Sequence, residues 1–293
     1  MFATLLGSLP RPSVSEDADP EAVLDAVIDL QVEHGLEPVT DGGWPLDATD
    51  PVATWRSTAA RTDRLVKAVM DGPFTSGRPA ADLRALLLDL TDAGCRWIEI
   101  HEPAATTIDS DPVARARFAE AHNALTADLG HDVHLSLAIT GGNADRAGIE
   151  TIVAGAYASL ALDLIDGPDN WRLATAAPTE LGLICGAVST RADSDDGPEV
   201  LLWAAGYAAS TAGRGPARVG LATAGSLAAL SWEVAATKVR RLGAAARLAA
   251  APMDERLAAV DPRAIDPRSA ALGQYVPKSP RRQANRDTKR PPD

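Results

Sequence analysis

Short apolar runs alternate with helix-like stretches along almost the whole chain, and this alternation limits the possible folds more than any other feature. Eight strand-like runs occur in the 293 residues, at 2–6, 37–41, 65–71, 96–101, 132–139, 158–163, 182–188 and 218–223. Helical spacing of apolar residues begins at about residue 20 and recurs near 52–61, 79–93, 112–128, 145–154, 169–177, 197–212 and 227–249. Repeated strand–helix units favour a parallel sheet with right-handed crossovers, and eight units close into a barrel. The sequence therefore predicts one α/β domain, a (β/α)₈ TIM barrel, over residues 1–275.

The alternative α/β fold is a doubly wound open sheet. That fold is favoured by a G-x-G-x-x-G turn after the first strand, and no such turn follows residues 2–6. Local signals also fit a barrel helix after the first strand, because Asp19 and Pro20 are typical of a helix start and Gly35 of a helix end. The barrel is the prediction that we carry forward.

The charge distribution divides the chain into an acidic body and a basic end. The formal net charge is −12, but the last 17 residues carry six basic and two acidic side chains, a net charge of +4, which leaves −16 on the rest. An acidic body repels phosphate backbones, so nucleic acid is not an expected partner. Residues 276–293 show no apolar periodicity and are predicted to form a disordered basic tail.

Cysteine content and apolar run lengths bear on the compartment. Only Cys95 and Cys185 occur, which excludes a disulfide framework and fits a reducing compartment. The amino terminus lacks a basic stretch followed by an apolar run, as a signal peptide would have, and no apolar run reaches the 18 residues of a membrane span. The sequence predicts a cytoplasmic protein that does not enter a membrane.

The predicted strands place several polar side chains inside the barrel. Side chains alternate between the two faces of a strand, so Ile98 and Ile100 should face the helices while Glu99 and His101 point inward. The same rule sends further polar residues inward, namely His134, Ser136, Ser159 and Asp163. Active sites of such barrels lie at the carboxyl ends of the strands. Because His101 and Asp163 lie near strand ends, both are candidates for function, whereas the deeper His134 is interpreted as structural.

The strand ends carry an ordered set of motifs. Residues 6–11 read Leu-Gly-Ser-Leu-Pro-Arg, 40–42 read Thr-Asp-Gly, 70–75 read Met-Asp-Gly-Pro-Phe-Thr, 98–104 read Ile-Glu-Ile-His-Glu-Pro-Ala, and 141–143 read Gly-Gly-Asn. In this order they resemble the catalytic barrel of the cobalamin-independent methionine synthases, over about residues 1–250. The resemblance implies the same barrel and a place in methionine biosynthesis. It also implies transfer of a methyl group to the thiol of homocysteine from a methylated folate, or from a corrinoid in short stand-alone barrels.

The resemblance also implies a zinc ion that holds the substrate thiolate, but the ligand positions are altered. They fall on Ala138, Thr140, Asp163 and Ala224 in this sequence. Alanine and threonine are not zinc ligands, so at most one of the four positions survives, and no metal site is predicted. The binding site for the substrate amino group is altered as well, because Gly43 and His101 stand where the family has Glu and Asp.

These observations predict a diverged methionine-synthase-like enzyme that transfers a methyl or related one-carbon group to a small carboxylated substrate without zinc. His101 would be the acid, base or anion-binding group, and Glu102 and Asp163 would orient or charge it. The predicted substrate-binding residues are Gly7, Ser8, Arg11, Asp41, Trp44, Thr140 and Asn143. Two alternatives stay open: a zinc-dependent homocysteine methyltransferase, and a non-catalytic barrel that binds a ligand or a protein. A corrinoid protein or a second copy of the chain also stays open as a partner.

Overall fold

The computed structural model describes residues 1–13, 19–129, 132–194 and 196–261, and in these ranges seven parallel strands form one curled sheet covered by helices. The strands are β1 (Phe2–Thr4), β2 (Lys67–Asp71), β3 (Trp97–His101), β4 (His134–Ile139), β5 (Ser159–Asp163), β6 (Gly182–Val188) and β7 (Val219–Thr223). Their order across the sheet is β1-β7-β6-β5-β4-β3-β2, so the first strand pairs with the last. The architecture is an α/β fold of the TIM-barrel type.

Helices separate successive strands along the chain, as the sequence predicts, and further helices follow the last strand. In the described ranges they are α1 (Pro20–Glu33), α2 (Pro51–Ala59), α3 (Pro73–Ser76), α4 (Ala80–Asp92), α5 (Pro112–Thr126), α6 (Ile149–Ile152), α7 (Trp171–Ala176), α8 (Pro198–Ser210), α9 (Trp232–Ala250) and α10 (Met253–Ala259). None of these helices is both long enough and apolar enough to cross a bilayer. The predicted tail, 276–293, and the predicted domain end at 275 lie outside the described residues.

An Asp-Pro pair begins three of the helices. Asp19, Asp50 and Asp111 each stand at the N-cap, and each side chain accepts a hydrogen bond from the backbone N–H two residues later. Proline follows at the first helical position, where its missing N–H costs no intrahelical bond. The predicted start of α1 is therefore confirmed. Its predicted end is confirmed too, because Gly35 has a φ of +76° directly after the helix.

The second predicted strand, 37–41, is not a regular strand, and this corrects the count of eight. Its one bridge joins Val39 to Val66. Pro38 has no N–H to donate, and both backbone groups of Thr40 bond the side chain of Gln31 instead of a neighbouring strand. The segment still links the two edge strands, because Glu37 N–H donates to Ala3 in β1 and Lys67 N–H donates to Val39. We call residues 37–41 the seam.

The inward faces of the strands meet in a small apolar layer separate from the main core. Most apolar residues pack between the sheet and the helices in one large cluster. Inside the curled sheet a second cluster contains Leu6, Trp97, Ala138, Ala161, Ile184 and Ala222. This layer fills the middle of the barrel, between the polar groups at its two ends. We call these ends the amino-terminal and carboxyl-terminal mouths, after the strand ends that lie there.

Candidate active site

A buried lysine, glutamate and histidine form a continuous network on β2 and β3. The Glu99 carboxylate accepts a hydrogen bond from Lys67 Nζ at 2.7 Å, and its other oxygen lies 2.7 Å from His101 Nε2. Lys67 Nζ also donates to the carbonyl oxygen of Leu5 at 2.7 Å. The side chains of Lys67 and Glu99 are fully buried, whereas the side chain of His101 is 13% exposed. The network therefore runs from the barrel interior to its carboxyl-terminal mouth.

The network keeps the Glu99 carboxylate ionised. Burial alone would raise the pKa of Glu99, but the charge of Lys67 and the hydrogen bond with His101 outweigh it and lower the pKa to about 2. Burial lowers the pKa of Lys67, and the attraction of Glu99 offsets part of that effect. A buried carboxylate held in this way is a fixed hydrogen-bond acceptor for the imidazole.

His101 has one ring nitrogen engaged and one available. An ionised Glu99 requires a proton on Nε2, and in the neutral ring this leaves Nδ1 as an acceptor. Within the described ranges, Nδ1 has no hydrogen-bond partner. The adjoining wall of the mouth is open, because Val69, whose register partner is Glu99, is 40% exposed. With its side chain 13% exposed, the imidazole is partly accessible to solvent.

Glu102, predicted to assist His101, makes a different set of contacts. Its carboxylate accepts the backbone N–H groups of Phe74 and Thr75 at 2.8 and 2.7 Å, and lies 3.1 Å from His122 Nε2. The side chain is fully buried. Glu102 therefore anchors the loop after β2, and the carboxylate that orients His101 is Glu99. Any catalytic role of Glu102 stays a prediction.

Asp163 is likewise engaged with backbone groups. Its carboxylate accepts the N–H groups of Gly141, Ile165 and Asp166 at 3.1, 2.9 and 2.9 Å. Burial raises its pKa, and these three hydrogen bonds offset part of that rise. Asp163 thus ties the loop after β5 to the loop after β4. It makes no hydrogen bond to His101 in the part of the chain that is described.

Gly7 and Ser8 lie in a tightly packed corner of the same mouth. A Cβ on Gly7 would stand 2.7 Å from Ser226 Cα, and a Cβ on Gly43 would stand 2.3 Å from Ser8 Oγ. Both glycines have positive φ, at +82° and +81°. The backbone of Gly7 therefore packs directly against the backbone of Ser226, and Gly43 packs against the side chain of Ser8, so glycine is favoured at both positions.

Three other predicted binding residues, Arg11, Asp41 and Trp44, lie beside this corner. Trp44 donates its indole N–H to Leu9 O at 3.0 Å, and the Arg11 guanidinium lies 5.9 Å from the centre of the Trp44 ring. Asp41 accepts the N–H of Gly43 at 2.9 Å, and burial raises its pKa. Asp41 also lines a cavity of about 190 Å³ between α2 and the edge of β2. These residues provide a cation, an aromatic face and a carboxylate at one side of the mouth.

Thr140 and Asn143 occupy the loop after β4. Asn143 Oδ1 accepts the N–H of Asp169 at 2.8 Å, so this side chain fixes the loop after β5. Thr140 faces the loop after β7, since a Cβ on Gly225 would stand 3.8 Å from Thr140 Cβ. The predicted residues thus surround one mouth, but Asn143, Glu102 and Asp163 are held by loop backbone.

The residues at the family's zinc positions do not fit a zinc ion. Ala138 and Ala224 are buried alanines with no donor atom, and the Asp163 carboxylate is taken by three N–H groups. Neither cysteine substitutes, because Cys95 and Cys185 are buried and burial raises the pKa of the Cys185 thiol to about 12. In the described ranges no group of three or more His, Cys, Asp or Glu side chains is arranged to hold a metal.

Lys67 is the member of the site that the sequence did not single out. Its strand was predicted at 65–71, and alternation puts Lys67 on the same face as Val69 and Asp71. The signal that could have found it is a lysine within an otherwise apolar strand, followed in the next strand by an inward glutamate. A buried lysine needs such a partner.

Comparison with solved structures shows what the fold resembles. A B12-independent methionine synthase from Shewanella sp. W3-18-1, in complex with selenomethionine, superposes with a TM-score of 0.70 at 15% identity, over 87% of this chain and 98% of that one. A candidate B12-independent methionine synthase from Listeria monocytogenes gives 0.66 at 15% identity, over 84% and 97%. A methyltransferase from Methanosarcina mazei gives 0.56 at 14% identity, over 85% and 94%. The chain shares their barrel fold.

The sequence itself gives no corresponding match. No protein-family model matches the chain, and a comparison with curated protein sequences finds no match either. At 14–15% identity, the structural likeness supports a related fold and does not assign an activity.

Proposed function

We propose that the protein is a methyltransferase-like barrel enzyme that transfers a methyl or related one-carbon group to a small carboxylated substrate, with His101 as its acid–base group. The observation that carries the proposal is the network of Lys67, Glu99 and His101 at the carboxyl-terminal mouth. Buried charges are costly, and a lysine–glutamate pair that ends on a partly exposed imidazole is the arrangement expected for an oriented base. Likeness to methionine synthase and methyltransferase structures supports the reaction class.

The residues of the network have separate tasks in this proposal. Lys67 fixes Glu99, and Glu99 holds the proton on His101 Nε2, which leaves Nδ1 free to take the proton of the substrate's nucleophilic group. The nucleophile then forms a bond to the methyl carbon while the bond from that carbon to the donor breaks. The donor keeps the electron pair and takes up a proton. A methylated folate is the donor class that the likeness favours.

Substrate binding would use the loops around the same mouth. Arg11 would supply a cation for a carboxylate, and the half-buried turn at Gly7 and Ser8 would hold it. Asp41 faces a cavity and suits an amino group. Thr140 lies across the mouth, beside the loop after β7. Together these groups suit an amino-acid-like substrate.

Two other functions lead to different measurements. Zinc-dependent thiol methyl transfer requires about one zinc per chain, held by ligands other than those at the family positions. A non-catalytic barrel requires only that a ligand or protein binds, with no chemical role for His101. The side chains at Ala138, Asp163 and Ala224 argue against the zinc-dependent reaction. The oriented imidazole of His101 argues against a non-catalytic barrel.

The test combines metal content, ligand binding and turnover on the full chain. Elemental analysis measures zinc, thermal shift measures binding of homocysteine and a methylated folate, and initial rates measure methyl transfer between them. His101→Gln keeps an N–H donor for Glu99 but removes the ring base, and His34→Gln is the matched control at the carboxyl end of α1, remote from the mouth. Loss of a general base lowers the rate by about 10²–10⁴-fold.

We expect no stoichiometric zinc, stabilisation by the carboxylated ligand, and a rate that falls at least about 100-fold in His101→Gln while His34→Gln behaves as the wild type. Stoichiometric zinc would instead restore thiol methyl transfer through a metal. Equal rates in both variants would remove His101 from catalysis, and binding without any turnover would leave the non-catalytic barrel.

A further inference from the structure

A cavity opens at the end of the barrel opposite His101. Its volume is about 400 Å³. The walls come mainly from residues at the starts of strands, because Phe2, Trp97, His134 and Ser159 are the first residues of β1, β3, β4 and β5. In a parallel sheet all starts lie at one edge, so this is the amino-terminal mouth. Trp97 and His101 are the two ends of β3, about 13 Å apart along the strand.

Three aromatic rings form a continuous wall in this mouth. Phe2 meets Trp97 edge to face with ring centres 5.5 Å apart, and Trp97 meets His134 with centres 3.8 Å apart. The rings are held in place: His134 Nε2 lies 2.8 Å from Ser159 Oγ, and a Cβ on Gly220 would stand 2.5 Å from the Phe2 ring. The wall is therefore a fixed aromatic surface before any ligand arrives.

The wall carries no charge near neutral pH. Burial is the largest influence on His134 and lowers its pKa to about 4, so its imidazole is neutral. A neutral imidazole beside indole and phenyl rings presents π faces and ring edges, and these pack well against another aromatic ring. The interior of the mouth therefore suits an uncharged aromatic group.

The rim of the mouth carries one charge of each sign. Glu180 and Arg218 both line the cavity and are exposed. They form no ion pair with each other in the described residues, and Arg218 Nη1 donates only to the carbonyl oxygen of Thr179, at 3.3 Å. A ligand with an ammonium and a carboxylate beside an aromatic ring would satisfy both rim charges while its ring fills the cavity.

We propose that the amino-terminal mouth binds a free amino acid with an aromatic side chain. The ring packs against Phe2, Trp97 and His134, the carboxylate pairs with Arg218, and the ammonium group pairs with Glu180. The cavity volume lies within the range of small-molecule sites, about 300–1,000 Å³. This site is separate from His101 and needs no chemistry there.

Isothermal titration of the full chain with L-phenylalanine tests the site. We expect measurable binding below about 10 mM, and none for L-alanine, which lacks the ring. Ala217→Trp adds a large side chain at an exposed position of the lining and should abolish binding without affecting the fold. Glu180→Gln and Arg218→Gln should each weaken binding about 3- to 5-fold, the effect of an exposed charge pair.

Two further variants separate this site from others. Arg78→Gln removes an exposed arginine outside the cavity lining and should bind as the wild type does. His101→Gln should also bind L-phenylalanine unchanged, whatever its effect on methyl transfer. The proposal is overturned by equal heats for L-alanine, by binding that survives Ala217→Trp, by loss of binding in His101→Gln, or by no heat at all.

Discussion

Loss of the buried ion pair between Lys67 and Glu99 should destabilise the fold strongly. Lys67→Met removes the cation and leaves a fully buried carboxylate with only His101 beside it. Breaking a buried ion pair on one side typically costs about 3–5 kcal/mol, because the remaining charge is uncompensated. Urea unfolding at pH 7 should show this loss, and Arg64→Gln, which removes the exposed pair with Glu37, should cost less than about 1 kcal/mol.

The same pair predicts how stability depends on acid. The pKa of Glu99 falls from 4.5 to about 2 on folding. A depressed carboxylate pKa stabilises the fold above the unfolded value, and this contribution disappears as the pH falls from about 4.5 to 2. The wild type should lose about 3 kcal/mol in that window from this group. In Lys67→Met the loss should be smaller, so unfolding curves of the two proteins should converge at low pH; parallel curves would contradict the assignment.

Gly72 is a position where one methyl group should disturb the site. A Cβ there would stand 2.2 Å from Glu102 Oε1 and would push the carboxylate away from Phe74 and Thr75. Gly72→Ala should cost about 1–3 kcal/mol by overpacking. Gly206 is the matched control, because it lies inside α8 with nothing within 4 Å of an added Cβ. Gly206→Ala should stabilise the protein by about 0.5–1 kcal/mol. Thermal unfolding should therefore show a lower midpoint for Gly72→Ala and a higher midpoint for Gly206→Ala than for the wild type.

Side-chain direction could be predicted at the mouth, but side-chain partners could not. The alternation of side chains along a strand is a local rule. Applied to residues 96–101, it correctly predicted that Glu99 and His101 share one face. Which residue forms the ion pair with Glu99 depends on the register between β2 and β3. Neither of the two sequence runs specifies that register. Carboxylates near strand ends look alike in sequence whether they face a substrate or accept loop N–H groups, as Glu102 and Asp163 do.

Among the larger elements, the seam depends on one side chain of α1. Gln31 donates to Thr40 O at 2.8 Å and accepts Thr40 N–H at 3.0 Å, so it takes the place of a neighbouring strand. Gln31 and Thr40 are buried. Gln31→Met keeps the volume but leaves two backbone groups without partners, at about 1–3 kcal/mol each before any relaxation.

Hydrogen exchange provides the readout for this element. In Gln31→Met the amide of Thr40 should exchange faster, together with those of the seam that bond β1 and β2, while amides in β5 and β6 keep their protection. Asp29→Asn on the exposed side of α1 is the control and should change neither. Uniform loss of protection across the sheet would mean that the seam is not an independent element.

Seven of the eight predicted strands are present, and the exception has a local cause. The alternation of strand-like runs with helix-like stretches marked 37–41 as a strand, yet Pro38 lacks a donor and Thr40 bonds to a helix side chain. Rules based on apolar patterns do not specify the hydrogen-bond partner of each backbone group. Helix starts were easier to predict, because Asp19 with Pro20 is a complete signal within two residues.

At the scale of the whole molecule, contacts between the first and the last strand hold the sheet together. β1 pairs with β7, and Thr223 Oγ1 accepts Leu6 N–H and donates to Leu6 O, 217 residues away in the sequence. Such contacts form only after most of the chain has been ordered, because closing long loops costs entropy first. The first strand is therefore expected to stabilise the entire barrel and not only its own neighbours.

Deleting residues 1–4 tests this long-range dependence. The deletion removes all of β1 and leaves the edge of β7 unpaired, so we expect the cooperative transition seen by far-ultraviolet circular dichroism and tryptophan fluorescence to disappear. The total stability of a domain is only about 5–15 kcal/mol, which an entire lost strand can exceed. A chain that ends at residue 275 is the matched control, because the sequence predicts that 276–293 lie outside the barrel, and its midpoint should equal that of the full chain. A deletion of 1–4 that unfolds at an unchanged midpoint would show that β1 contributes little, and that the barrel is stable as a six-stranded sheet bounded by β7 and β2.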